Sequence, residues 1–92
     1  MRLVARIGNN PIMGVIMMEW KIRSLRNGTE KMLESEQLSK STRAVLIRQL
    51  HLLSQLLQSY ILGDGELFAR LFATTQQTVT IGVNLYREEK NG

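Results

Sequence analysis

The sequence predicts an all-α, or mostly α, fold: a small helical bundle that associates into an oligomer. Three observations carry this. Apolar residues recur at helical spacing through two long stretches, turn signals separate those stretches, and a chain of 92 residues leaves much of its surface in water unless it associates. An α+β arrangement, with an amino-terminal hairpin and a carboxy-terminal strand, is the alternative.

Residues 1–18 stand apart. They hold no acid, two arginines and the only proline. Leu3, Ala5 and Ile7 alternate, Gly8 to Pro11 read as a turn, and Ile12 to Met18 are apolar. A short hairpin satisfies this pattern, and so does a flexible arm. The helical domain is expected over residues 19–90. Its first piece starts at Glu19, with Trp20, Ile22 and Leu25 near one face and Lys21, Arg23 and Arg26 solvated. Asn27-Gly28 looks like a stop. A weaker piece is then expected over 29–38, with Asn27 and Glu30 at capping-box spacing, or the first helix continues with a kink.

The next helix is the clearest. Ser39, Ser41 and Thr42 are good amino-caps, and from about Thr42 to Leu62 the residues Leu46, Leu50, Leu53, Leu57 and Tyr60 alternate steps of four and three. Val45, Leu52 and Leu56 form a second row. The two rows with Ile61 cover about half the circumference, more than the ~100° stripe one packing face needs, so this helix should touch more than one neighbour. Its polar side, with Gln49, Ser54, Gln55, Gln58 and Ser59, has amides and hydroxyls but no charge. Such groups can be buried at modest cost when paired.

Gly63-Asp64-Gly65 should end that helix and cap the next. In the last segment Leu67, Phe68, Leu71, Phe72, Val79, Val83 and Tyr86 share one side of a helical wheel, opposite Ala69, Gln76, Gln77, Thr80 and Asn84. Val79, Ile81, Val83 and Leu85 also alternate in a β-branched stretch, as a strand would. The continuous helix is preferred because its periodicity spans about six turns.

Chemistry is excluded more readily than it is found. The chain has no Cys and one His, so disulfides, thiolate metal sites and a zinc site of about four N or S ligands are ruled out. His51 and Ser54 lie a turn apart without an orienting acid. Glu30, Glu34 and Glu36 read as a solvated face, Gly63 to Glu66 supply too few ligands for a calcium loop, and no phosphate-binding glycine pattern occurs. No cofactor and no enzymatic activity are expected. No window approaches the ~18 apolar residues of a membrane span, and no signal peptide is recognisable; a cytoplasmic protein is expected, with no membrane partner.

What remains is association. The leading expectation is a non-enzymatic protein–protein interaction module (an adaptor, chaperone-like protein or regulatory binder) that self-associates, with Leu46, Leu50, Leu53, Leu57, Tyr60, Leu67, Leu71 and Phe72 as candidate interface residues. The alternative is a small basic nucleic-acid-binding regulator. The net charge of +4 and pI near 10.0 favour acidic partners, and Lys21, Arg23, Arg26, Arg43 and Arg48 are the candidate phosphate contacts. Glutamates at 30, 34 and 36 in the same region weigh against a recognition helix there.

Overall fold

The computed structural model describes residues 11–91, with side chains from Met18 onward. Three helices succeed one another: α1 (Pro11–Leu33), α2 (Lys40–Leu62) and α3 (Gly65–Asn91). Among the described residues there is no strand. The chain is all-α over this range, and residues 78–86 are helical within α3. The arm or hairpin expected over residues 1–18 lies outside the described residues up to position 10; from Pro11 the chain is helical, so the helical region begins earlier than residue 19. Proline suits a first helical position, where its missing N–H would have had no intrahelical partner.

Asn27-Gly28 does not stop α1, and no separate helix forms over 29–38. The helix runs through to Leu33. Gly28 is exposed with nothing near it, and its cost of about 1 kcal/mol in a helix interior is outweighed by the anchoring of its neighbour. Thr29 is completely buried against α2 and donates its hydroxyl to the Leu25 carbonyl at 2.8 Å. A residue anchored one position beyond the glycine holds the backbone helical through it.

The expected caps of α2 are present. Ser39 is its amino-cap, in extended conformation, and its hydroxyl accepts from the Thr42 amide at 3.2 Å. Gly63 ends the helix in the left-handed region at φ 74°, where a β-carbon would be strained. The next residue turns the chain into α3, since Asp64 Oδ1 accepts from the Leu67 amide at 3.1 Å. The α2–α3 connection is only Gly63-Asp64, and the α1–α2 connection is residues 34–39. Connections this short make neighbouring helices antiparallel.

Helix α2 is the centre. Both α1 and α3 pack along it, and far less against each other. Ile22 of α1 and Leu53, Leu56 and Leu57 of α2 form the buried cluster, flanked by Met18, Phe68, Leu71 and Val79. Removing each buried Leu or Ile from water contributes roughly 1.5–3 kcal/mol. Leu46 forms a second buried point nearer the start of α2. At the tight turn Tyr60, Phe68 and Phe72 stack in series, with centroids 5.4 and 5.7 Å apart.

Candidate interaction surfaces

The helices are locked in register by polar groups as much as by leucines. Gln49 of α2 is buried and donates from Nε2 to the Thr29 hydroxyl of α1 at 2.7 Å. Its other amide atom, Oε1, occupies the space beside Gly82 of α3 where a β-carbon would stand, and Leu46 Cδ2 lies 3.2 Å from the same point. Gly82 therefore lets α3 approach α2 at this level. Thr75 and Thr78, also buried, lie on the same side of α3, so its contact line is built of small residues.

Two ionic side chains tie helix ends together. Glu89, near the end of α3, accepts from the Ser39 amide at 2.8 Å, the Ser39 hydroxyl at 2.7 Å and the Thr42 hydroxyl. It thus supplies the negative charge that the first turn of α2 lacks. The Thr42 hydroxyl above all, then the Ser39 amide and hydroxyl, hold the Glu89 carboxyl below the usual carboxylate range, against a smaller opposing effect of burial. Arg43 donates from Nη1 to the Leu33 carbonyl at 3.0 Å and from Nη2 to the Ser35 carbonyl at 2.7 Å, which closes the carboxy-terminal end of α1.

The Glu89 contacts predict a pH dependence. A carboxyl whose folded value is depressed contributes stability that is complete above its unfolded value and drains away as pH falls through the lower folded value. Glu89→Gln should therefore lower the urea midpoint at neutral pH, and the gap to wild type should close in acid. A gap that stayed constant from neutral pH to pH below the carboxylate range would show that the charge does not matter.

Of the candidate interface residues, Leu46, Leu53 and Leu57 are buried inside the chain itself. Leu50, Tyr60 and Leu71 are half-buried, while Leu67 and Phe72 are exposed. The candidate phosphate contacts do not converge. Arg43 is committed to helix-end carbonyls, Arg23 pairs with Glu19 at 3.0 Å, and Arg26 is half-buried with its Nε unpartnered. Lys21 and Arg48 are exposed. At 100° per residue Lys21 and Arg23 point roughly 160° apart around α1.

Among the described residues two apolar surfaces stay open, on opposite sides of α2. The first is a groove of about 200 Å³ between α1 and α3. Leu53 and Leu56 form its floor; Met18, Lys21, Ile22 and Leu25 form one wall; Phe72, Thr75, Gln76 and Val79 form most of the other. The second is the outer side of α2 and the turn after it. There Ile47, Ile61, Leu62 and Leu67 are 44%, 55%, 73% and 38% exposed, and Leu62, Leu67 and Leu71 line a shallow depression with Gln55 and Gln58. Ile47 and Leu62 lie off the leucine rows, so helical spacing does not single them out. Their readable signal is the charge-free back of the helix.

His51 is exposed on that same back, and among the described residues no three His, Asp or Glu side chains gather as a metal site would require. None of the described helices is long and apolar enough to cross a membrane. Compared with family models, curated proteins and solved structures, the chain matches none.

Proposed function

We propose that the chain is a non-enzymatic protein-binding module that also pairs with itself. One observation carries the reading. Among the described residues five hydrophobic side chains are buried, Ile22, Leu46, Leu53, Leu56 and Leu57, whereas eight large ones stay exposed, from Trp20 on α1 to Ile81 on α3. Single exposed apolar residues are ordinary; contiguous patches mark interaction sites. Here Leu62, Leu67 and Leu71 line one depression across the α2–α3 turn, with Ile61 exposed beside Leu62 in the sequence.

Self-association is assigned to the outer side of α2. From Gln49 to Gly63 the sequence holds no charge, so two copies of this stretch meet without repulsion. A two-fold pair of this kind places the same patch on both partners. The amides of Gln55 and Gln58 are exposed there and bond across the pair. The nucleic-acid reading gains less, because the basic residues are dispersed and two of them, Arg23 and Arg43, are already bonded within the chain.

Sedimentation equilibrium is the test. Wild type should be dimeric or larger at micromolar concentration, and Ile61→Lys with Leu62→Lys should be monomeric with an unchanged helical circular dichroism spectrum, since both side chains point to solvent. A wild type that sediments as a monomer contradicts self-association. A double variant that stays associated would place the contact elsewhere and overturn this face.

A further inference from the structure

We infer that the groove between α1 and α3 is the receptor for one amphipathic α-helix of another polypeptide, with a carboxylate placed opposite Lys21. The inference rests on the reading of the chain as a protein-binding module and names the occupant of its second surface.

The shape selects a helix. Helices α1 and α3 are both antiparallel to α2 and hence parallel to each other, and they stand apart with α2 as the floor between them. Met18, Lys21, Ile22 and Leu25 are spaced i, i+3, i+4 and i+7, and so are Phe72, Thr75, Gln76 and Val79. Four residues at those offsets make the hole into which a side chain of a facing helix inserts. Each wall thus offers one hole, over about two helical turns. A fourth helix lying on α1 and α3 would complete a four-helix arrangement around Ile22, Leu53 and Leu56. The volume of about 200 Å³ falls below the ~300 Å³ at which small-molecule pockets begin, and the described residues offer no strand edge for an extended peptide.

The charge selects the flank of the incoming helix. Among the described residues Lys21 is the only charged one on the groove lining, and no acid lies there. A carboxylate beside the apolar row of the partner would meet it as flanking charges do in paired helices. The back of a second copy supplies this poorly. Along α2 it has no acid between Glu36 and Asp64, and Asp64, in the depression at the turn, already accepts from the Leu67 amide, so the groove and the back of α2 take different partners.

One buried polar group points the same way. Thr78 and Thr80 return their hydroxyls to the carbonyls four residues back, at 2.8 and 3.0 Å. Thr75, 2% exposed in the groove wall, finds no partner for its hydroxyl among the described residues. Threonine in a helix divides between two side-chain rotamers, and rotation gives that hydroxyl to a polar side chain arriving in the groove.

The experiment is selection of the full chain against a displayed library of helix-forming peptides about four turns long, then fluorescence anisotropy with the enriched peptides. Enriched sequences should share an apolar row at helical spacing with Asp or Glu on its flank. Leu25→Arg and Phe72→Arg, at exposed rim positions, should each weaken binding at least about tenfold, the effect of ~1.4 kcal/mol, while the fold persists by circular dichroism. Lys21→Glu should weaken it similarly and recover when Lys replaces the peptide acid. Enrichment of sequences lacking the row or the acid, or binding indifferent to both rim variants, overturns the inference; so does a library that yields no binder. If Leu25→Arg or Phe72→Arg instead dissociates the oligomer, a second copy occupies the groove and the inference fails. Failure of peptide binding with Ile61- and Leu62-dependent self-association intact removes this inference alone and leaves the proposed function standing.

Discussion

Leu53→Ala is expected to destabilise the chain by about 2–5 kcal/mol, the cost of a large cavity in a packed core. Leu53 is 1% exposed, sits in the buried cluster with Ile22, Leu56 and Leu57, and forms the floor under the groove. A chain of this length has roughly 5–14 kcal/mol in total, so one truncation removes a large share. The check is a urea unfolding midpoint at fixed protein concentration, because pairing makes apparent stability concentration-dependent. A loss below about 1 kcal/mol would mean that the groove floor collapses to fill the space. A charged residue at Leu53 or Leu57 should unfold the monomer outright, so it cannot serve to test self-association. Surface positions such as Ile61 and Leu62 can.

How much of this was legible in the sequence depends on the kind of force at work. The leucine rows of α2 are read directly from spacing, and the width of its apolar side calls for more than one neighbour, which α1 and α3 supply. Ser39, Gly63 and Asp64 are legible because each satisfies backbone groups or a backbone angle within a few residues of itself. The signals that misled or stayed silent depend on partners distant in sequence. Asn27-Gly28 reads as a stop by local propensity, but Thr29 is held by Gln49, twenty residues on. Gln49 and Ser59, from the uncharged polar side of α2, are buried within the chain, whereas Gln55 and Gln58 of the same side stay outside. Residue type alone does not separate them. Arg43 reads as a candidate phosphate contact until the end of α1 is known to lie beside it. Leu46, Leu53 and Leu57 read as interface positions because spacing reveals an apolar seam but not whether the surface it meets belongs to the same chain. On α3 the contact line of Thr75, Thr78 and Gly82 is neither large nor apolar, so a hydrophobic pattern passes over it; the small residues at i, i+3 and i+7 were the readable trace.

That last line of small residues carries the second large effect. Gly82→Leu should destabilise the chain despite its better helix propensity, which alone would favour the variant by about 0.8–1 kcal/mol. The β-carbon would enter the space held by Gln49 Oε1, with Leu46 Cδ2 3.2 Å away. Overpacking costs typically about 1–3 kcal/mol. Driving the Gln49 amide off Thr29 adds the loss of a buried hydrogen bond, about 1–3 kcal/mol when a group is left unsatisfied. The net loss should be roughly 1–5 kcal/mol on those two terms less the propensity gain. Gly82→Ala separates the causes. Alone it should be destabilising, since its β-carbon meets the same amide; in a Gln49→Ala background the obstacle is gone, and the same change should become neutral or stabilising by up to about 1 kcal/mol. A double-mutant cycle on urea midpoints reads this sign reversal as a coupling energy between positions 49 and 82. Additive effects would show that the amide is free to move aside, and that the close approach of α3 to α2 is set by Leu46 rather than by the Thr29–Gln49–Gly82 line.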